Sequence, residues 1–370
     1  MSDSTVTKKD TTEKTDLKSL TREELADFCS ELDLQSFRGD QIYKWLYEKG
    51  VSGFEEMTNL SKDLRSRLEE IAEVNRIELV RRQESSDGTI KFLFEIKGGY
   101  HMESVLIPDF DDDGYAKRLT VCVSSQVGCV FGCSFCATGK MGHFRNLSHG
   151  EIVDQVQYLD EVAREKFDKG VTNIVYMGMG EPLHNYDAVM ESTAIISDPE
   201  TLNISPKRIT VSTVGLTKQI KQLADERQPF NLAVSLHAAD DEKRDEIMPI
   251  NKSLNLENLK DALTHYFERL HKPVTFEYLL FNQFNDTPED AEKLSTIAHW
   301  IPSKVNIIMY NNVEGVELKR AQESRLDQFL SILTDNDVTA TVRRSRGEDI
   351  DAGCGQLAVK EGEKGKSIAD

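Results

Sequence analysis

The strongest constraint on the fold is a repeated alternation of short β-branched runs with longer helical segments after residue 116. Runs rich in Val, Ile and Thr predict buried strands, and apolar residues at helical spacing predict amphipathic helices. Helical segments such as SHGEIVDQVQYLDEVAREKF and TPEDAEKLSTIAHWI lie between the strand candidates. The seven strand candidates are KRLTVCVSS, VTNIVYMGMG, KRITVST, FNLAVSLHA, VTFEYLLF, KVNIIMYN and VTATVRRS.

Strands that alternate with helices predict βαβ units and a parallel sheet. Six or seven such units predict an α/β fold, a full or partial (β/α) barrel with its chemistry at the carboxyl ends of the strands. The polar stretches GMGEP, STVG, SLHAA and YNN each lie where a predicted strand gives way to a loop. A functional site is therefore expected at that end of the barrel.

Two smaller regions are predicted before the barrel. Residues 17–88 are expected to form a helical accessory domain, with a capping box at Thr21 and helical spacing to about residue 82. Residues 89–116 are expected to form a β extension, in which two strands meet at Gly98 and Gly99.

The barrel domain is predicted to span residues 117–358, with tails at 1–16 and 359–370. Both tails are polar and have few apolar residues, which predicts disorder. The chain has no apolar run long enough to cross a bilayer and no apolar signal-peptide segment at its start. A cytoplasmic location is therefore expected, and cysteines there stay reduced.

The net charge of −19 argues against a nucleic-acid partner, because phosphate binding depends on Lys and Arg. A binding face is local, however, and basic clusters occur in SPKR (205–208), in RRSR (343–346) and at Arg145. The accessory domain offers a second candidate RNA surface, and an ordinary solvated helix face explains its cations equally well. Those cations are Arg38, Lys44, Lys62, Arg65 and Arg67.

Four of the six cysteines fall within CVSSQVGCVFGCSFCATG, residues 122–139. Cys129, Cys133 and Cys136 form a C-x3-C-x2-C pattern just after the first strand of the predicted barrel. Three thiolates in one loop suit an iron–sulfur cluster and would leave one iron of a four-iron cube open. A structural zinc site that includes Cys122 is the alternative that spacing leaves open.

This cysteine pattern in a predicted α/β barrel resembles the radical S-adenosylmethionine (SAM) superfamily. The similarity covers nearly the whole chain, including FRGDQIYKWLYEKGVSGFEEMTNLSKDLR near its start. It is closest to the RlmN-type ribosomal RNA adenine-C2 methyltransferases. The stretches that carry it are the cysteine loop, MGMGEPLHN, RITVSTVG, SLHA, MPIN and RRSRGEDIDAGCGQL.

The resemblance implies a radical SAM barrel in which Cys129, Cys133 and Cys136 bind a [4Fe-4S] cluster. The open iron of that cluster would bind SAM through its amino and carboxylate groups. Seven further positions match the family's SAM-binding residues. They are Gly180, Glu181, Ser212, Ser235, Leu236, His237 and Asn311.

The resemblance also implies roles for Cys354, Cys122 and Glu103. In this family one SAM methylates the cysteine that matches Cys354. A second SAM gives a 5′-deoxyadenosyl radical, which takes hydrogen from the S-methyl group so that the carbon adds to adenine. Cys122 matches the resolving thiol that releases the product as a disulfide forms, and Glu103 matches the general base. The remaining Cys29 is expected to be a core residue.

The implied reaction is methylation of C2 of adenine 2503 in 23S rRNA and of adenine 37 in tRNA. The implied partners are these RNAs and an electron donor such as flavodoxin or ferredoxin. Two alternatives remain: a Cfr-like enzyme that methylates C8 of adenine, and a non-catalytic, zinc-containing RNA-binding protein.

Overall fold

The computed structural model describes residues 14–359. The chain divides into two compact units, Met1–Arg76 and Ile77–Asp370. In the described residues of the first unit, β1 (Thr15–Asp16), α1 (Arg22–Glu31), α2 (Phe37–Tyr47), α3 (Lys62–Ile71) and β2 (Ala72–Glu73) follow one another. Short 3-10 helices in the chain are Leu17–Ser19, Phe54–Glu56, Pro182–Asn185, Pro206–Arg208, Pro249–Lys252 and Glu348–Ile350.

The first unit is a small helical module, as its sequence predicts. Thr21 forms the predicted capping box with Glu24 at the start of α1. Cys29 is buried on that helix, in agreement with a core role. The prediction of disorder to residue 16 was wrong at its end, because Thr15 and Asp16 pair in parallel with Ala72 and Glu73. The rest of that predicted tail, residues 1–13, lies outside the described residues.

The second unit begins with three antiparallel strands, β3 (Glu78–Glu84), β4 (Ile90–Ile96) and β5 (Tyr100–Phe110). The strands β4 and β5 confirm the predicted hairpin at Gly98 and Gly99. The helical prediction to residue 82 was wrong, because β3 is a strand. Its residues are mostly exposed at the sheet edge, and charged side chains there hide the period of two on which strand prediction depends.

The other strands confirm the seven candidates and add a two-stranded ribbon. This ribbon joins β7 (Gln126–Gly128) to β8 (His143–Asn146). The parallel strands are β6 (Ala116–Cys122), β9 (Asn173–Tyr176), β10 (Ile209–Thr213), β11 (Asn231–Ser235), β12 (Val274–Leu280), β13 (Ser303–Met309) and β14 (Ala340–Arg343). Their helices are α4 (Ala137–Lys140), α5 (His149–Phe167), α6 (Tyr186–Ser197), α7 (Thr217–Asp225), α8 (Asp241–Ile247), α9 (Leu256–Leu270), α10 (Pro288–Ala298) and α11 (Glu323–Asp335).

The ten-stranded sheet has the order β14-β13-β12-β11-β10-β9-β6-β5-β4-β3. The strand β6 pairs in parallel with β9 on one edge and antiparallel with β5 on the other. Within residues 14–359, no ladder joins β14 to β6, so the barrel is partial, as predicted. We call the gap between β14 and the β5–β6 pair the seam.

The described C-terminal segment packs against the second unit. Val359, predicted to begin the C-terminal tail, is instead buried, and residues 360–370 lie outside the described residues. Within residues 14–359, every helix is too short or too polar to cross a membrane.

Candidate active site

The cysteine loop is held by the ribbon of β7 and β8. The amide of Cys129 donates to the carbonyl of Gly142 at 2.9 Å, and that of Cys136 donates to Cys133 at 3.1 Å. Gly128 has φ 75°, and a Cβ there would lie 1.8 Å from the Gly142 oxygen. A side chain at residue 128 would therefore distort the turn that starts the loop.

The three thiols of this loop are close to one another and poorly solvated. Burial raises the pKa of all three thiols, that of Cys129 to about 12. At Cys129 and Cys133, the neighbouring thiols of the loop raise the pKa further. Such thiols become thiolates when a metal centre supplies positive charge. In the described part of the chain, no three His, Cys, Asp or Glu side chains are placed around a single metal ion. A cubane cluster uses one thiolate for each of three different irons.

A cavity of about 890 Å³ opens beside this loop at the carboxyl ends of the strands. It brings together residues from the cysteine loop, from β9 to β13 and from the C-terminal segment. We call it the thiol cavity. Of the residues that the sequence singles out, its lining includes Cys129, Cys133, Cys136, Gly180, Glu181, Ser212, Ser235, His237 and Cys354.

Glu181 offers a buried carboxylate for a cationic ligand. Its Oε2 accepts from the amide of Val214 at 2.9 Å, and its Oε1 accepts from that of Leu183 at 3.1 Å. Burial raises its pKa to about 7. Gly180 has φ 96°, and a Cβ there would lie 2.5 Å from Cβ of Gln126, so the close approach requires glycine. An ammonium group would stabilise the ionised form of this carboxyl.

Polar groups on neighbouring strands complete the fit to an amino-acid-like ligand. The hydroxyls of Ser212 and Ser235 lie 3.3 Å apart. Both side-chain polar atoms of Asn311 are buried and lack a hydrogen-bond partner among residues 14–359. Buried amides without partners are uncommon, but Asn311 lies outside the lining of the thiol cavity. The predicted residue Leu236 is fully buried in the core beside this site.

His237 is placed as a neutral side chain. Its backbone has φ 56°, and its Nδ1 accepts from the amide of Leu279 at 3.1 Å. Burial, with the charge of Arg244, lowers its pKa to about 3. His237 therefore acts here through hydrogen bonding and shape, because it holds no charge near neutral pH.

Arg244 is a residue of this site that sequence reasoning missed. It is buried, and its guanidinium donates to the carbonyls of Val214, Ser235 and Leu236 and to Oδ1 of Asn251. These bonds tie together the loops after β10 and β11. In the sequence this residue is the Arg of RDEIMPIN, five residues before Pro249. Its neighbours are charged, so the sequence predicts a solvated helix residue there.

Cys354 lies where the C-terminal segment meets the cysteine loop. The amide of Ala137 donates to the carbonyl of Gly355 at 2.8 Å, and Oγ1 of Thr138 donates to that of Leu357 at 2.6 Å. Cys354 contributes to the raised pKa of both Cys136 and Cys122. The thiol of Cys354 is thus within electrostatic reach of Cys136 in the cysteine loop and of Cys122 at the end of β6.

Cys122 and Glu103 lie outside the lining of the thiol cavity. Burial raises the pKa of Cys122 to about 12. Oε1 of Glu103 lies 3.2 Å from Nζ of the buried Lys91, and its Oε2 accepts from the amide of Ala358 at 3.0 Å. Burial raises the Glu103 pKa, and Lys91 opposes this. Both oxygens of Glu103 therefore face Lys91 and the segment that carries Cys354.

A second, larger cavity of about 1860 Å³ lies against the parallel strands and also reaches Cys354. We call it the basic cavity. One carboxylate, Asp109, lies in its lining, 3.6 Å from Arg118 and 3.8 Å from Arg346. The cations in its lining are Arg118, Lys207, Arg208, Lys304, Arg343, Arg344 and Arg346.

The basic cavity unites two of the three basic clusters in the sequence, from SPKR and RRSR. Arg145 does not join them, because both of its terminal nitrogens contact the carboxylate of Glu151, at 2.6 and 2.8 Å. In the N-terminal unit, Arg65 and Arg67 donate to backbone carbonyls of that same unit. The acidic chain thus concentrates positive charge beside Cys354.

Comparisons with known proteins agree with this arrangement. Residues 15–74 match the Ribosomal RNA large subunit methyltransferase N-terminal domain, and residues 123–294 match the Radical SAM superfamily. A protein of Salinibacter ruber named "Probable dual-specificity RNA methyltransferase RlmN" is 52% identical over 95% of both chains. The "Dual-specificity RNA methyltransferase RlmN" of Nautilia profundicola is 45% identical over 88% of this chain and 93% of its own.

A solved structure shows the same fold. The crystal structure of a radical SAM methyltransferase from Sphaerobacter thermophilus superposes with a TM-score of 0.86 at 41% sequence identity. The match covers 93% of this chain and 99% of the other.

Proposed function

This chain belongs to the RlmN family of dual-specificity RNA methyltransferases within the radical SAM superfamily, and we propose that it methylates C2 of adenine 2503 in 23S rRNA and of adenine 37 in tRNA. The observation that carries this proposal is the position of Cys354, which lines both the thiol cavity and the basic cavity. A residue there reaches a cofactor on one side and an RNA nucleotide on the other.

Family membership implies SAM and an iron–sulfur cluster, and we propose the [4Fe-4S] type at Cys129, Cys133 and Cys136. When bound, these groups supply a 5′-deoxyadenosyl radical, which can take a hydrogen atom from an unactivated methyl group. The buried carboxyl of Glu181 would bind the ammonium of SAM. Ser212, Ser235, His237 and the partnerless amide of Asn311 would orient the rest of the molecule.

The basic cavity supports RNA as the substrate. Its seven cations can neutralise phosphates on either side of an unstacked nucleotide, whose base would then reach Cys354. An adenine that stays stacked in a duplex could not enter. We also propose that the reaction takes place in the cytoplasm, where both RNAs are found, and that flavodoxin or ferredoxin supplies the electron.

Cys354 would carry the methyl group and become joined to adenine C2 through its carbon. Glu103 would accept the C2 proton, and Cys122 would attack the sulfur of Cys354 and release the methylated base. Because Ala358 and Lys91 engage both oxygens of Glu103, the C-terminal segment must shift before this carboxylate reaches adenine. Cys122 and Cys354 are both free thiols in this structure, as the start of a cycle requires.

Nucleoside analysis after reaction tests this proposal. The cluster-loaded protein would be incubated anaerobically with a reductant, methyl-labelled SAM and either a 23S rRNA fragment or tRNA. We expect labelled 2-methyladenosine at each site, and no label with Cys354→Ala or with guanine in place of the target adenine. Labelled 8-methyladenosine would assign the Cfr-like reaction instead. Protein that carries zinc without iron and forms neither nucleoside would contradict catalysis altogether.

A further inference from the structure

Arg343 lies at the end of β14, and its side chain reaches the carboxyl end of β9. Its Nη1 lies 3.5 Å from Sδ of Met177, the residue that follows β9. The amide of Met177 in turn donates to the thiol of Cys122. Arg343 also lines the basic cavity together with Cys354. The guanidinium therefore lies at the end of β9, where β9 pairs with β6 at Cys122, and it shares a cavity lining with Cys354.

The charges around this guanidinium favour the same position. Cys354, Glu277 and Cys122 all stabilise the cationic form of Arg343. Glu277 on β12 is buried, and its Oε2 has no hydrogen-bond partner among residues 14–359. The other oxygen, Oε1, accepts from Nδ2 of Asn306 at 2.9 Å, and the charges of Arg343 and Lys304 both favour the ionised carboxylate. A buried carboxylate needs such countercharge, so it favours the guanidinium in this position.

The release step needs a countercharge at Cys122. Burial, with a contribution from Cys354, raises the pKa of Cys122 to about 12, whereas Arg343 lowers it. A thiol is a poor nucleophile and its thiolate is a good one, so the attack depends on the stabilised anion. Arginine suits this task because its guanidinium stays protonated at every pH that an enzyme meets.

We propose that Arg343 is the positioning residue that stabilises the thiolate of Cys122 for its attack on Cys354. This inference rests on the proposed function. The thiolate of Cys122 forms an S–S bond to Cys354 while the C–S bond to the methylene carbon breaks. The electron pair of that bond passes to the carbon, which takes up a proton from water and becomes the methyl group of adenine. The two sulfurs together lose two electrons when the disulfide forms, and the carbon gains these two electrons.

The first test needs no RNA. Cluster-loaded full-length protein would be treated with neutral iodoacetamide at pH 8, and modification of Cys122 followed by peptide mass spectrometry. Arg343→Gln should slow modification about tenfold, the effect of one pKa unit on the thiolate fraction. Arg343→Lys should retain most of the rate because it keeps the charge. Arg346→Gln, which removes a charge at Asp109, should leave it unchanged. Equal or faster modification in Arg343→Gln would overturn the proposal.

The second test follows the covalent protein–RNA adduct on denaturing gels. With Arg343→Gln the adduct should persist at pH 7 and resolve faster as the pH rises to 9. With Cys122→Ala it should persist at both values, because no thiol is present. Resolution by Arg343→Gln at the wild-type rate at pH 7 would contradict the role of Arg343. Absence of any adduct in Cys122→Ala, which cannot resolve it, would contradict the proposed function instead, and the alkylation result would then decide whether Arg343 stabilises the Cys122 thiolate.

Discussion

The thiol cavity and the basic cavity differ in the kind of group that they present. The thiol cavity has three loop thiols, the two buried carboxyls of Glu181 and Glu277, and neutral polar side chains. The basic cavity is larger and has seven cations against one carboxylate, although the whole chain has a net charge of −19. Cys354 belongs to both. The contrast teaches that the net charge of a chain does not reveal a local basic surface, because the charges that a binding partner meets are those of one face.

The largest expected effect changes the thiol cavity and leaves the basic cavity intact. Cys133→Ala should abolish cluster binding, because the iron that this thiolate binds loses its ligand. Iron and sulfide content and the visible absorbance of anaerobically reconstituted protein measure this loss. RNA affinity should stay near the wild-type value.

Cys29→Ala is the matched control for that experiment, since Cys29 is a buried cysteine of the N-terminal unit. It should retain the full cluster. Iron and sulfide at wild-type levels in Cys133→Ala would refute the assignment of the cysteine loop.

The next effect tests the junction of the two cavities. Cys122→Ala should still join Cys354 to RNA and then stall as a covalent complex, because no second thiol breaks the C–S bond. Cys354→Ala should give no complex, because the methyl carrier is missing. Denaturing gels of both variants with substrate RNA check this, and turnover by Cys122→Ala at the wild-type rate would remove Cys122 from the mechanism.

A smaller effect is expected from the basic cavity. Replacing both Lys207 and Arg208 by Gln removes two phosphate contacts of about 1.5 kcal/mol each, roughly a hundredfold in RNA affinity. The dependence of affinity on salt should also become less steep. Binding titrations at several salt concentrations measure both quantities, with iron content unchanged.

Lys260→Gln, on the outer helix α9, removes a charge away from both cavities and is the control. An unchanged salt dependence in the double variant would show that RNA binds elsewhere.

The smallest effect concerns protons in the thiol cavity. Since burial raises the pKa of Glu181 to about 7, its carboxyl is mostly protonated at pH 6 and mostly ionised at pH 8. The ammonium of SAM favours the ionised form, so SAM should bind about tenfold more tightly at pH 8 than at pH 6. Equilibrium binding of SAM at the two pH values measures this difference. Glu181→Gln should bind weakly at both, and a wild-type affinity that falls with rising pH would contradict the contact.

The barrel strands could be predicted because runs such as VTFEYLLF are buried on both faces, which leaves a continuous apolar signal. The strand Glu78–Glu84 could not, because an exposed edge strand carries charges like those of a solvated helix. The cysteine loop was predictable from its spacing. The role of Arg244 was not, because three of its four partners are backbone carbonyls, which any sequence provides.

The sequence also could not predict which of the basic clusters lie together in the fold. SPKR and RRSR lie more than 130 residues apart, yet both line the basic cavity, because their strands belong to one curved sheet. Arg145 has the same composition signal and is instead paired with Glu151. Sequence reveals which side chains are basic, and the fold decides which of them have free charge to offer.

The seam has a consequence for how a polymer can load. The strand β6 already pairs with a neighbouring strand on each edge, so β14 cannot pair with it and close the barrel. The side-chain contact of Arg346 with Asp109 spans the seam where a ladder would otherwise run. Under the proposed function, an internal nucleotide of a long RNA would enter beside this gap, and opening it would cost one exposed ion pair and leave every strand pairing of the sheet intact.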